Sequence, residues 1–186
     1  LITISELYKF VQKDKKLKKY FSLFINKDIS SICIELQKSL EKYLDIDKCN
    51  SITTQNFEEN IIKKGIFDNH DKNVETYLES YDKLLALEEY FDKVIKNKEK
   101  KSKSNKFITI KETDKSGFSL QATSRRSKIL IDELQKTKTS TIKYISSYDS
   151  TEKSFSLNNS FIQKTSFGNN SNSYIEGGEI KELCKT

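Results

Sequence analysis

The chain has 186 residues, of which 35% are hydrophobic and 32% charged, and its mean hydropathy of −0.67 excludes a large dry core. No run of roughly 18 apolar residues occurs, which excludes a transmembrane helix, and no charged-then-apolar leader opens the chain, so no secretory signal is expected. The net charge of +6 is uneven: residues 1–95 hold 15 basic and 17 acidic groups, residues 96–186 hold 18 and 10, an asymmetry that points to a polyanion as partner of the second half.

The first third reads as helical. Ser5 is placed to cap a helix through Phe24, with Tyr8, Val11, Leu17, Phe21 and Phe24 as its apolar positions. In a second helix Ile25, Ile29, Ile32, Cys33, Leu36, Leu40, Tyr43 and Leu44 recur at steps of three and four, while Lys38, Glu41 and Lys42 face away. Asp45 to Thr54 reads as a polar connection. Phe57 to Phe67 fits no single period, and Gly65 marks a break. Asp68 or Asn69 can cap a third helix to about Asn97, striped by Val74, Tyr77, Leu78, Tyr81, Leu84, Leu85, Phe91, Val94 and Ile95. At 1.5 Å per residue it would be roughly 40 Å long, longer than the core its narrow stripe could build. Such a helix is expected to pair with another and form an arm; a compact helical bundle is the alternative.

The register changes at Lys96. Residues 96–104 form a basic, polar linker, after which the apolar period shifts from 3.6 to 2. Phe107–Lys111 and Phe118–Thr123 alternate as half-buried strands, joined by the turn chemistry of Thr113–Gly117. A short helix starts at Ser124, with Ile129, Leu130 and Leu134 inward and Arg125, Arg126 and Lys128 outward. Two more strands are expected at Thr141–Tyr148 and Phe155–Gln163, then a polar loop over Ser166–Ser173 and a final helix from about Glu179. A chain that opens at Leu1 and lacks Met is expected to be a segment of a longer polypeptide, its last helix stopped early.

The catalytic inventory is thin. Cys33, Cys49 and Cys184 have no C-x-x-C spacing and are odd in number, which suits a reduced, intracellular setting. His70 is the one histidine, with no further ligand at metal spacing, and reads as a solvated residue at a helix start. No phosphate-binding loop of the G-x-x-x-x-G-K-[ST] type occurs. Glu58-Glu59 and Glu88-Glu89 are adjacent, so their carboxylates point to different sides of a helix. The basic half remains: lysines among Ser, Thr and Asn suit phosphate oxygens, which give affinity without sequence reading. The helix start at Ser124 adds its dipole and free N–H groups to Arg125 and Arg126. A lysine-rich surface that merely follows AT-rich coding is the bland alternative, against which stands the use of Arg at these two positions alone.

Glu59-Asn60-Ile61-Ile62-Lys63-Lys64-Gly65-Ile66-Phe67-Asp68 followed by a long helix resembles the MutS family of DNA mismatch-recognition proteins, where such a segment leads into a lever helix. Gly117-Phe118-Ser119-Leu120-Gln121-Ala122-Thr123-Ser124-Arg125 is similar to the second strand of that family's clamp, with Phe107–Lys111 as the first. Gln163–Phe167 through Ser173-Tyr174-Ile175-Glu176 is similar to its loop and the start of its returning lever helix. Ser119 stands where a second aromatic is usual, an insertion follows Phe67, and Ser127–Leu134 forms a helix where many members have an open loop, departures that mark a divergent branch.

The resemblance implies an α+β fold, mostly α, in which long paired lever helices carry a small antiparallel β-sheet clamp with one inserted short helix. Residues 1–97 would form the helical core and lever, 98–105 a basic linker, 106–176 the β clamp and 177–186 the start of the returning lever helix. Contacts to the DNA backbone would fall to Lys111, Lys115, Arg125, Arg126, Lys128, Lys164, Asn169 and Asn170. The segment itself would be no enzyme and hold no cofactor or metal. ATP and Mg would belong to the parent protein, a dimeric DNA-dependent ATPase. The expected partner is double-stranded DNA, with no membrane, inside a cell; a viral or mitochondrial parent suits the composition. Two other readings stay open: a helical protein-interaction scaffold without nucleic-acid binding, its stripes at 25–44 and 74–95 pairing with partner helices, and a small enzyme relying on His70.

Overall fold

In the computed structural model of the chain, a single aspartate divides the first expected helix. α1 (Ile2–Lys13) ends and α2 (Lys15–Phe21) begins at Asp14. Its carboxylate accepts the backbone N–H groups of Lys16 and Leu17 at 2.8 and 3.0 Å, the cap that starts a new helix. The structure describes residues 2–24, 29–52, 60–99, 104, 106–113, 117–166 and 171–185, in two compact units, Leu1–Asp71 and Lys72–Thr186.

In the first unit α1 packs on α3 (Ile29–Glu41), with Val11 and Cys33 buried. α3 stops short of the expected Leu44, and residues 25–28 lie outside the described residues. The expected connection after Asp45 contains a further helix, α4 (Ile46–Ser51), again begun by an aspartate: Asp45 accepts the N–H of Lys48 at 3.2 Å. Leu44 and Ile62 then form an antiparallel bridge, flanked by bonds from Asp45 N–H to Ile61 O at 2.8 Å and Lys63 N–H to Tyr43 O at 2.9 Å. Gly65 turns the chain at φ +86° and donates its N–H to the Asp71 carboxylate at 2.7 Å, just inside the start of α5 (Asp68–Lys98).

The second unit follows α5 with β1 (Thr109–Thr113), β2 (Gly117–Thr123), α6 (Ser124–Leu134), β3 (Thr139–Ile145), β4 (Glu152–Asn158), a 3-10 turn at Asn159–Phe161, β5 (Gln163–Ser166), β6 (Asn172–Glu176) and α7 (Gly178–Leu183). The fold is mixed α and β with small antiparallel sheets. One sheet has the order β1-β2-β6-β5, the other is the β3–β4 hairpin. Within the larger sheet Ile110, Leu120, Ile175 and Lys164 stand across from one another on one face, and Thr109, Gln121, Tyr174 and Thr165 on the other. Ser173–Glu176, expected as the start of a returning helix, instead lies in β6 at the sheet's centre. Its exposed–buried alternation has the period of a strand, which five residues of sequence do not separate from a helical turn.

From residue 80 onward α5 does not act as the expected arm. Leu84, Leu87, Phe91 and Ile95 are fully buried and share one apolar cluster with Leu120, Ile175, Leu130, Ile142, Leu157 and Ile180. The helix is thus the spine of the β unit, and Leu87, absent from the expected stripe, is part of it. α7 closes the cluster beside β2: the Phe118 N–H donates to Cys184 O at 3.0 Å. Gly117, at φ +66°, leaves no room for a Cβ, which would lie 2.5 Å from that same oxygen.

Polar side chains of α5 fix the sheets along it. Asp92 accepts the N–H groups of Phe107 and Ile108, both at 2.8 Å, and Glu88 that of Ile110 at 3.4 Å. The buried Asp82 accepts the N–H and hydroxyl of Ser147 at 2.7 and 2.6 Å, holding the β3–β4 turn. The Tyr90 and Ser140 hydroxyls are 2.9 Å apart, and Glu79 pairs with Lys153 of β4. Burial pushes the Asp92 carboxyl above its ordinary value against the pull of its two backbone donors. The hydrogen bond from Lys153 holds Glu79 below its own, and the Thr151 hydroxyl and N–H do the same for Asp149.

Two outcomes follow. Phe91→Ala should destabilise the second unit by about 3–5 kcal/mol through the cavity it leaves, measured by urea unfolding. Lys153→Ala should lower the thermal midpoint near pH 7, and the difference from the unaltered chain should shrink as pH falls below the ordinary carboxylate range and through the folded value of Glu79. Glu79 and Asp149 have folded values below the ordinary 4.5 and 3.8, so the stability they contribute is present above those values and lost as pH falls through the folded ones.

Candidate nucleic-acid interface

The best expected phosphate site was the first turn of α6. Thr123 stands at its N-cap in an extended conformation without a side-chain cap bond. The Ser124 N–H donates to Ser171 O at 2.7 Å, and the Ser124 and Ser173 hydroxyls are 2.8 Å apart, so this end of the helix is tied to the strand leading into β6. The two arginines are occupied. Arg126 donates from Nε to Glu99 at 3.2 Å and lays its guanidinium over the Phe107 ring, 4.5 Å from the centroid. Arg125 reaches the other Glu99 oxygen at 3.6 Å. Side-chain exposures are 81% for Arg125, 28% for Arg126 and 14% for Glu99. Arg126, expected to face outward, is therefore a clip between α6 and the end of α5, while Arg125 remains at the surface with half its charge answered.

Much of the remaining positive charge is answered too. Glu133 takes Lys98 at 3.2 Å and Lys136, Glu88 takes Lys106 at 3.2 Å, and Glu152 takes Lys143 at 2.9 Å. Lys111, Lys128 and Lys164 are exposed, and no ion pair is found for them among the described residues. Lys115, Asn169 and Asn170 lie outside the described residues.

The fold does not gather these positions at one point. Lys111 and Lys164 sit on opposite edge strands, three strand spacings or roughly 14 Å apart, and on opposite faces of the sheet. Lys164 shares the face of Leu120 and Ile175, the face covered by α6 through Leu130 and Leu134. Lys128 lies one turn after Ser124, on the flank of α6 that meets β6. Lys128 and Lys164 thus belong to neighbouring elements, since α6 packs on β5, and Ser166, also exposed, shares the face of Lys164. These elements offer mobile ammonium groups and hydroxyls to an anionic backbone, without a planar pair of donors fixed to read a base edge.

Other chemistry is sparse. His70 Nε2 lies 3.0 Å from the Asn60 side-chain oxygen, so it is partnered at its helix start. Among the described residues no group of three His, Cys, Asp or Glu is placed to hold a metal ion, and no helix is long and apolar enough to cross a membrane. The Cys184 thiol is pushed up to about 11, chiefly by burial. The chain matches no protein-family model, no curated protein and no solved structure.

Sequence reasoning missed Glu99. It lies inside a run counted as basic linker, and its acidic sign next to Lys98 and before the lysines at 100 and 101 was the available signal. Arg126→Ala should lower the thermal midpoint by a few degrees, since a half-buried ion pair and a cation–π contact together contribute about 1 kcal/mol; differential scanning calorimetry measures it.

Proposed function

We propose that the unit Lys72–Thr186 binds the sugar–phosphate backbone of double-stranded DNA without reading base sequence, as a clamp-like element. The observation that carries this reading is that Lys128 and Lys164 lie exposed on the packed, neighbouring elements α6 and β5. These are two cations unmatched by carboxylates among the described residues, beside an exposed strand of small polar side chains. The excess of basic over acidic groups after residue 95 supports it, because a net positive surface gathers a polyanion before any specific contact forms. The resemblance to the MutS clamp supports it as well. In a parent of that kind this segment would grip DNA, while ATP and Mg would act elsewhere in a dimer.

The role of each residue changes with the structure in view. Lys128 and Lys164 would neutralise phosphates, and Lys111 would meet DNA from the opposite edge strand only if the duplex spanned the sheet. Arg125 would contribute through its exposed guanidinium. Arg126 would act by holding α6 in place.

A low-salt titration of the chain with duplex DNA, followed by fluorescence anisotropy, tests this. Log affinity should fall with log salt at about −0.9 per phosphate neutralised, for roughly two to four phosphates. Lys128→Ala with Lys164→Ala should weaken binding and flatten the slope, equally for unrelated sequences. No binding at low salt, or binding indifferent to salt, overturns the proposal.

A second reading, a protein-interaction scaffold, draws on the first unit, where Leu7, Phe10, Tyr20, Leu23 and Phe24 of α1, α2 and the following turn are exposed. Large exposed apolar side chains in number mark interaction surfaces. Concentration-dependent self-association in sedimentation, with no DNA shift, would favour it.

A further inference from the structure

The outer edge of β1 is capped in part and open in part. The N–H groups of Ile108 and Ile110 point away from β2, because they bond to Asp92 and Glu88 of α5. Main-chain groups alternate sides along an antiparallel strand, so the N–H and C=O of Glu112 face the same outer edge. No partner for them is found among the described residues. Next to this open stretch lies a hollow of about 240 Å³, lined by Tyr81, Leu85 and Glu88 of α5 and by Lys106, Ile110, Glu112 and Phe118. Two of the lining rings, Tyr81 and Phe118, are 5.3 Å apart, and Tyr77 stands beside them, its ring 6.4 Å from Phe118. Leu85 and Tyr77 are each 42% exposed, although both lie on the helix that forms the core.

We propose that this edge takes up an extended peptide of a partner protein as a fifth strand, with one bulky apolar side chain seated in the hollow and a Lys or Arg two residues away beside Glu112. The unsatisfied strand edge calls for main-chain donors and acceptors in an extended ligand. Residues of an added strand that lie across from Ile110 and Glu112 share the face of those two side chains, which is the face of the hollow. Glu88 already has Lys106 at 3.2 Å, whereas Glu112 is exposed and no ion pair is found for it among the described residues, so the complementary charge on the ligand is positive. A second copy of β1 fits worse: paired antiparallel about Lys111, it would place Glu112 across from Ile110 and send a carboxylate into the hollow. The site is on the edge of the sheet opposite β5 and does not rest on the nucleic-acid reading.

The probe is a short, end-blocked, fluorescein-labelled peptide, Thr-Lys-Thr-Leu-Thr-Thr, which puts Lys and Leu on one face of a strand. Its control, Thr-Lys-Leu-Thr-Thr-Thr, puts them on opposite faces. The full chain should give a saturable rise in anisotropy with the probe and bind the control about tenfold more weakly. Leu85→Asp and Glu112→Lys should each weaken the probe by about the same factor. Glu112→Pro should do so too, removing an edge N–H that makes no bond to β2. Thermal unfolding of each variant shows whether it is folded, and the two surface substitutions decide the matter if the proline variant is not. The proposal is overturned by the absence of saturable binding up to about 1 mM, by equal binding of probe and control, or by binding indifferent to Leu85→Asp and Glu112→Lys. Self-association of the chain that displaces the probe and is lost in Glu112→Lys overturns it in favour of a second copy.

Discussion

Leu84, Leu87, Phe91 and Ile95 of α5 share one apolar cluster with residues of β2, β3, β4 and β6, and with Ile110 of β1 packed against it, and the rest of that unit depends on this sharing. Neither sheet is large enough to build a core alone: one has four short strands and the other two, and an isolated hairpin is marginal in water. A single apolar stripe that serves both sheets, with α6 and α7 closing around it, makes a small core out of a polar composition. The consequence is that a helix with the length of an arm is consumed in packing over its second half.

The acidic residues of that helix complete what the apolar ones begin. A strand at the edge of a sheet has main-chain donors with no neighbouring strand to accept them. Asp92 and Glu88 supply those acceptors along β1, and Asp82 does the same for the turn between β3 and β4. Apolar contacts decide that the sheets lie against α5; the carboxylates decide where along it. Where their reach ends, at Glu112, the edge is left open beside a hollow lined in part by aromatic rings.

Charge has to be read in the same structural terms. Glu99 removes Arg126 from the set of candidate phosphate ligands and half-answers Arg125, while Glu133, Glu88 and Glu152 answer four lysines. What matters for an anionic partner is the set of cations without such neighbours. Lys128 and Lys164 come from segments 36 residues apart in number, yet their elements are neighbours because α6 packs beside β5 and β6.

Period and punctuation in the sequence located the long helix Asp68–Lys98, the first hairpin and the helix after Ser124, each within a residue or two, because those signals are local: apolar spacing and a glycine at a positive φ. The same local rules applied with less weight to Asp14 and Asp45 would have found the helix break and α4, since both side chains cap in place. The sequence by itself therefore determined the long helix, the first hairpin, the helix that follows it and a positive second half. Only the tertiary structure decided that Ser173–Glu176 is a central strand, that two sheets share one helix, that Arg126 faces inward, and that Lys111 and Lys164 lie on opposite edges. These depend on strand order and on ion pairs between residues far apart in the chain. A period of two or 3.6 tells which way a side chain points from its own backbone and carries no information on what stands opposite.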